Sequence, residues 1–255
     1  MLTTIKTRIL RLPFFRAVNQ LRYVDFDPIY NTNHLDDSYY EKVKNLGDIE
    51  LEHQIGRLTH YKKILSEIAQ ENLVGDVVEF GTWRGFSLIW IGILMQDMAL
   101  FSKKIIGIDG FVGLPESEGE FSAGAFENTS KDFVSTMVKR SKYLYDVIKK
   151  NIHIEEALFS KKKYIIDTLR KYSKNGYVFI HIDCDLSSSA QEIFTILEEG
   201  KVMADTCYIL FDDYGSVSNL HVTIEQFVER MRKGWHVTEH SHTNLTKNFK
   251  FVRKS

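Results

Sequence analysis

One stretch limits the fold of this chain more than any other: Val77-Val78-Glu79-Phe80-Gly81-Thr82-Trp83-Arg84-Gly85. An apolar run that ends in a carboxylate and passes directly into a glycine-punctuated turn describes a buried parallel strand. The loop after such a strand lets a ligand approach the backbone. Lys104-Ile105-Ile106-Gly107-Ile108-Asp109 repeats the plan about one βαβ unit later. Two strand-end acids at that separation point to a nucleoside-containing cofactor.

The rest of the chain extends the alternation. Short β-branched or aromatic runs at 151–154, 177–182 and 206–211 read as further strands, and the segments between them carry helical patterns, so a mainly parallel α/β sheet is expected. Ahead of the first strand, Ile55, Leu58, Ile64 and Ile68 fall close to helical spacing within 49–70. Residues 86–99 are too apolar for a solvent-facing helix and are expected to pack on the sheet. Gly200 and Gly234 follow helical stretches at 190–199 and 223–233, where left-handed stops are expected. Residues 235–241 and 249–253 then read as a terminal antiparallel pair.

Residues 111–142 stand apart. Gly113, Gly119, Gly124, several serines and little periodicity through Asn128 describe a long connection before a basic helix. A connection of that length is expected to be either a lid over the cofactor site or a flexible insertion. Residues 1–48 read as an N-terminal extension ahead of a single domain spanning 49–255. Its segment 5–16 mixes basic and apolar residues without the apolar region of a signal peptide, and an arm packing on the domain or on a second subunit is preferred over membrane-surface contact. Tyr23, Phe26, Tyr30, Tyr39 and Tyr40 suit an acceptor wall or a subunit contact, with core packing the default.

Composition narrows the function classes. At 255 residues and 44% hydrophobic the chain can bury one substantial core, and a net charge of -1 supplies no field for nucleic acid, which is therefore not an expected partner. Cys184 and Cys207 each lie in an apolar strand-like context, which fits reduced buried thiols in a cytoplasmic protein. No run approaches the roughly 18 apolar residues of a transmembrane span.

A second constellation is acidic. Ile182-Asp183-Cys184-Asp185 closes one expected strand and Phe211-Asp212-Asp213-Tyr214-Gly215 closes the next. In a parallel sheet both open on the same edge, so Asp183, Asp212 and Asp213 are expected to converge, and such carboxylates repel one another unless something positive sits among them. A divalent cation is the simplest answer, and all-oxygen ligation suits Mg²⁺. The competing assignment has Asp183 or Asp185 capping the helix that starts at Ser187-Ser188-Ser189, with Asp212 in an ordinary loop hydrogen bond.

These residues in this order resemble the macrocin-type O-methyltransferases, class I enzymes that use S-adenosylmethionine. The resemblance rests on 75–87, on Asp109-Gly110-Phe111-Val112-Gly113-Leu114-Pro115, on 182–186, on Asp212-Asp213-Tyr214-Gly215 and on Ile224-Glu225-Gln226-Phe227. It departs from the family at 186–190, where a plain serine run replaces the usual pattern, and between Asp185 and Asp212, where the interval is slightly longer than the family's and 201–206 is expected to be a surface insertion. The resemblance implies a Rossmann-like, seven-stranded, mainly parallel sheet with a C-terminal antiparallel hairpin. It implies methylation of a hydroxyl on a sugar, glycosylated metabolite or polysaccharide.

Site roles follow from the same resemblance. Glu79, Phe80, Gly81, Thr82, Gly85, Ser87, Asp109, Gly110 and Phe111 are expected to bind S-adenosylmethionine, and Asp183, Asp212 and Asp213 to hold Mg²⁺. Asp183, Asp185 or His221 is the expected proton acceptor, although a solvent-facing helix position is the plainer assignment for His221. The expected partner is a small-molecule or glycan acceptor, with a homodimer mildly favoured. Two rivals remain at this point. Asp183-Cys184-Asp185 also fits the Asp-x-Asp of metal-dependent glycosyltransferases, against which the Glu79 and Asp109 pair argues. A non-catalytic scaffold of the same fold is the other.

Overall fold

Apolar runs of five or six residues are stable only when both faces are covered, and helices cover them here. The computed structural model describes residues 48–119, 121–215, 219–243 and 245–255, with side chains from Gly56 onward. The strands are β1 (Asp76–Phe80), β2 (Ile105–Asp109), β3 (Ile152–Glu156), β4 (Tyr177–Ile182), β5 (Met203–Phe211), β6 (Trp235–His242) and β7 (Lys247–Arg253). They form one sheet in the order β3-β2-β1-β4-β5-β7-β6. The first five are parallel, and β7 inserts antiparallel between β5 and β6.

Two helical layers sandwich the sheet. On one face α1 (Asp48–Gln70), α2 (Phe86–Asp97), α3 (Lys131–Arg140) and α4 (Asp146–Asn151) bury Tyr61, Ile64, Ile68, Leu88, Met95, Val134 and Ile148 against Val77, Ile105 and Phe179. On the other, α5 (Lys162–Tyr172), α6 (Ser187–Gly200) and α7 (Leu220–Met231) bury Ile165, Leu169, Phe194 and Phe227 against Val78, Phe80, Ile180 and Phe211. Each such side chain contributes about 1.5–3 kcal/mol through the water it leaves. The period of two along β1 sends Val78 and Phe80 to the second face, and Glu79 with Val77 to the first. That alternation places a carboxylate under α1, where it meets His181 of β4 across the pairing Glu79↔His181.

Several expectations change. Residues 201–206 are not a surface insertion: β5 begins at Met203, and because Tyr177 pairs with Met203 but Phe179 with Tyr208, the extra residues form a bulge within the strand. Gly200 is not the left-handed stop of α6, since Lys201 takes that conformation at φ 48°. A side chain at Gly200 would instead press on Ile166, so the glycine serves close helix packing. Gly234 has no positive φ either, and α7 ends at Met231. The third strand starts at Ile152, after the short helix α4. The expected N-terminal arm, with its basic segment and its tyrosines, lies outside the described residues up to Asp48. Cys184 and Cys207 are buried and unbridged. Among the described residues no helix is long and apolar enough to cross a membrane.

Candidate active site

Parallel register delivers the acids to one edge. Phe80 pairs with Ile108 and with Ile182, and Ile182 pairs with Phe211, so the residues that follow β1, β2, β4 and β5 emerge level with one another. Backbone bonds continue the ladder one step further: Gly81 donates to Ile108, Asp183 to Phe80 and Asp212 to Ile182. The sheet order reverses between β1 and β4, and it is outside such a reversal that open α/β sheets bind ligands. A crevice of about 650 Å³ lies there, its walls including Arg57, Gly81, Trp83, Asp109, Gly110, Asp183, Asp185, Asp212 and Asp213. That volume falls in the ordinary range for small-molecule sites.

The half over β1 and β2 is organised by Asp109. Its Oδ2 accepts from the backbone N–H groups of Thr82 at 2.9 Å and Trp83 at 2.7 Å, and its Oδ1 accepts from Phe111 N–H at 2.7 Å. One carboxylate thus fixes both turns that line this half. A carboxylate has about four acceptor positions, so Asp109 keeps one for a ligand hydroxyl. Gly81 is obligatory: its φ is +87°, and a Cβ there would lie 1.6 Å from the carbonyl oxygen of Asp183. Trp83 and Phe111 are held at φ 42° and 53°, a conformation that bulky residues adopt only when their surroundings impose it.

Glu79, Phe80, Thr82 and Ser87 lie beneath this surface and are buried. Glu79 Oε1 bonds His181 Nδ1 at 3.0 Å, and the Tyr61 hydroxyl reaches His181 Nε2 at 3.2 Å. Glu79 Oε2 and Thr82 Oγ1 have no hydrogen-bond partner, two buried polar atoms under the turn. Gly85, at φ +80°, starts α2 and packs against Val134. His221 stands apart, exposed on α7 and edge-on to the Tyr214 ring at 6.4 Å.

The half over β4 and β5 is a carboxylate cluster. Oxygens of Asp183, Asp185 and Asp213 lie within 4.8 Å of one another, and Asp183 and Asp212 make a second such group with His181. Burial raises the Asp183 carboxyl well above its usual range, with the charges of Asp212 and Asp213 adding to it and Arg57 opposing. Asp213 is raised in the same way by burial and by Asp212 and Asp185. Asp185, held at φ 58°, is pushed up to about 7, first by burial and then by Asp212 and Asp109. Asp213 Oδ2 is buried with no hydrogen-bond partner. Crowded acids with an orphaned oxygen are the donor set expected of a hard divalent cation, so the residues fit one.

Arg57 was not singled out by sequence pattern. Its Nη1 reaches Asp212 Oδ2 at 2.5 Å and Asp183 Oδ2 at 3.1 Å. Burial alone would lower the guanidinium pKa, and the charges of Asp212, Tyr61 and Asp183 more than reverse it. The available signal was a cation in phase with the buried stripe Tyr61, Ile64 and Ile68 of α1.

Residues 111–119 and 121–130 border the crevice, supplying Gly113, Leu114, Pro115, Phe121 and Phe126 to its wall. Two sets of contacts hold the segment. Trp83 packs edge-on to Phe126 at 5.4 Å and donates from Nε1 to Asn128 at 3.2 Å. At the other end Glu118 accepts from Ser187 N–H at 2.7 Å and Ser187 Oγ at 2.5 Å, while Glu116 accepts from Ser188 Oγ. The serine run thus receives the loop's carboxylates at the start of α6, whose N-cap residue Leu186 offers no side-chain cap.

Comparison with known proteins agrees with this architecture. Residues 53–240 match the model of the macrocin-O-methyltransferase (TylF) family. Demethyldecarbamoylnovobiocin O-methyltransferase of Streptomyces niveus is 25% identical over 201 residues, covering 74% of each chain. The O-methyltransferase NovP superposes with a TM-score of 0.61 at 17% identity, over 77% of this chain and 80% of its own. The calicheamicin methyltransferase CalS11 gives 0.58 at 13%, over 95% and 93%. The apo form of CalS11, described as a TDP-rhamnose 3'-O-methyltransferase, gives 0.54 at 12%, covering 95% of both chains. This chain belongs to the macrocin-O-methyltransferase family and is an O-methyltransferase.

Proposed function

We propose that the protein transfers a methyl group from S-adenosylmethionine to a hydroxyl of a sugar or glycosylated metabolite, with a divalent cation, Mg²⁺ by its chemistry, held among Asp183, Asp212 and Asp213. One observation carries the proposal. A single crevice has an acid-clasped glycine turn on one side and, on the other, a carboxylate cluster with a buried oxygen left unpaired. The donor supplies an electrophilic methyl group, and the cation, when bound, makes an acceptor hydroxyl more acidic.

The chain's own residues do the remaining work. Asp109, with its remaining acceptor position for a ribose hydroxyl, and the Gly81-Thr82-Trp83 backbone would hold the donor; Phe80, Gly85, Ser87, Gly110 and Phe111 shape the turns around it. Glu79 Oε2, unpartnered beneath the turn, suits the donor's ammonium group directly or through water. In-line displacement requires donor and acceptor near 3 to 3.5 Å, so alignment is the main task of the crevice walls. Asp185 is the proton acceptor of choice, because it lines the crevice beside the acid cluster and outside the proposed ligand set. Asp183 has the same access but is held by Arg57, and His221 lies outside the crevice wall. Relatives named for demethyldecarbamoylnovobiocin and for the 3'-oxygen of TDP-rhamnose support a sugar hydroxyl among acceptors.

The test separates donor from cation. S-adenosylhomocysteine is expected to raise the melting temperature where nucleotide sugars do not, the result that also excludes the glycosyltransferase alternative. Asp212→Ala, assayed with Mg²⁺ and with a chelator, is expected to be inactive in both. Full activity in either ends the cation's role.

A further inference from the structure

We propose that Arg57 competes with the divalent cation for Asp183 and Asp212, acting as a built-in counter-ion for the acid cluster. The inference rests on the cation site proposed above.

A guanidinium usually meets one carboxylate through two parallel bonds; here it reaches two carboxylates at once. A single nitrogen, Nη1, bridges Oδ2 of Asp212 and Oδ2 of Asp183. One positive atom spanning two carboxylates is the arrangement of a shared cation. The two acids belong to the proposed ligand set, and the third member, Asp213, is the one with an orphaned oxygen. Arg57 therefore covers the part of the site it can reach and leaves the rest exposed to a second positive charge.

Two positive charges on the same oxygens repel each other at close range. A Mg²⁺ about 2.0–2.1 Å from Asp212 Oδ2 would stand no more than about 4.6 Å from Nη1, which lies 2.5 Å from that oxygen. Asp212 is only 1% exposed, so water screens little of the repulsion that would follow. Arg57 comes from α1 and the aspartates from the ends of β4 and β5, so the contact joins a helix to the sheet edge. Cation binding is thereby linked to where that part of α1 rests.

Mn²⁺ serves as the probe, its free concentration followed by electron paramagnetic resonance in titrations of the full chain without donor or acceptor. Arg57→Gln is expected to bind Mn²⁺ about tenfold tighter or more, and Arg57→Lys to stay near the unmodified protein because the charge is kept. In chelator, Arg57→Gln is expected to melt below the unmodified protein and to regain the difference when Mn²⁺ is added. A folded Arg57→Gln that binds Mn²⁺ equally or more weakly overturns the competition. A second measurement does not depend on the variant folding: in the unmodified protein, the Arg57 Nε–H resonance is expected to move on titration with Mg²⁺, and an unmoved resonance at saturation also overturns it. Failure of the underlying site looks different. There the unmodified protein takes up no Mn²⁺, or takes it up equally after Asp183→Asn, and the inference falls with the site.

Discussion

The two halves of the crevice solve the same problem, fixing a ligand at strand ends, in opposite ways. Over β1 and β2 one carboxylate is surrounded by N–H donors: Asp109 accepts three backbone bonds and the turns are set before any ligand arrives. Over β4 and β5 four carboxylates crowd together with two of them bonded to the Arg57 guanidinium, and burial with mutual repulsion pushes Asp183, Asp185 and Asp213 above the usual carboxylate range. The first half is completed by its own backbone, as preorganised binding requires. The second is balanced by charge, and its state depends on which cation and how many protons it holds.

The harshest way to break the comparison is at the seam between the halves. Gly81 belongs to the donor turn, yet a Cβ added there meets the carbonyl of Asp183 at 1.6 Å. Gly81→Ala is expected to cost about 3 kcal/mol or more, combining a positive φ with a backbone clash. Urea denaturation measures it, and calorimetry with S-adenosylhomocysteine should find no binding. A variant that keeps both stability and donor affinity would show that the halves are independent.

Next come paired substitutions, one in each half. Asp185→Asn is expected to lower kcat by about 10²- to 10⁴-fold, the usual contribution of a positioned base, with S-adenosylhomocysteine affinity unchanged. Asp109→Asn does the converse. An amide in place of the carboxylate cannot accept all three backbone bonds, and each lost bond costs about 1–3 kcal/mol in turn stability or donor affinity. If Asp109→Asn lowers kcat with donor binding intact, the division of labour fails.

The donor half was the more legible in sequence, and the reason is local. An apolar run, an acid and a glycine turn are contiguous in the chain, so Val77 to Gly85 announced both a strand and its loop. The convergence of Asp183, Asp212 and Asp213 was legible too, because parallel strands put their ends on one edge. What could not be read was the object between them. The expected positive charge was read as a metal alone; Arg57, 126 positions before Asp183, brings a second one, and no short-range pattern encodes such a meeting. Gly200 misled for a related reason: a glycine near a helix end suggests a left-handed stop, but close packing on Ile166 selects the same residue. The attachment of 111–130 through Glu116 and Glu118 was hidden likewise, since a serine run at 187–189 reads as a helix start whichever group caps it.

A smaller effect separates the regions by pH. In the cation-free protein Asp185 is pushed up to about 7, above its unfolded value, so its contribution to stability is present at low pH and is lost as pH rises through 7. His60, on α1 and only 3% exposed, is lowered to about 4 by burial. The unfolded chain then takes up a proton that the native state refuses, and stability falls as pH drops from about 6.5 to about 4. Melting temperatures in chelator should therefore rise as pH goes from 8 to 6. Below 6 the acid and His60 contributions oppose each other, and the His60→Gln curve should climb relative to that of the unmodified protein as pH falls. A His60→Gln curve parallel to that of the unmodified protein removes this assignment.

The smallest effect concerns the segment that joins the halves. Residues 111–130 are tied to the donor half through the Trp83 ring and to the acid half through charge, with Glu118 at the start of α6. A carboxylate at a helix N-terminus is favoured by the unsatisfied N–H groups and the helix dipole, each such interaction contributing about 0.3–1 kcal/mol when exposed. Glu118→Gln keeps the shape and one acceptor but removes the charge. It is expected to destabilise by no more than about 1 kcal/mol, and to leave S-adenosylhomocysteine affinity within error, because the Trp83 contacts remain. The acceptor KM should rise if the segment closes over the acceptor, and the rise should vanish at high salt, where the unmodified protein loses the same attraction by screening. Trp83→Leu supplies the contrast: an apolar attachment is insensitive to salt, and the donor affinity should fall. Identical salt profiles for the two variants would mean that the segment is held in one way along its whole length, and the distinction between the two halves would not extend to their cover.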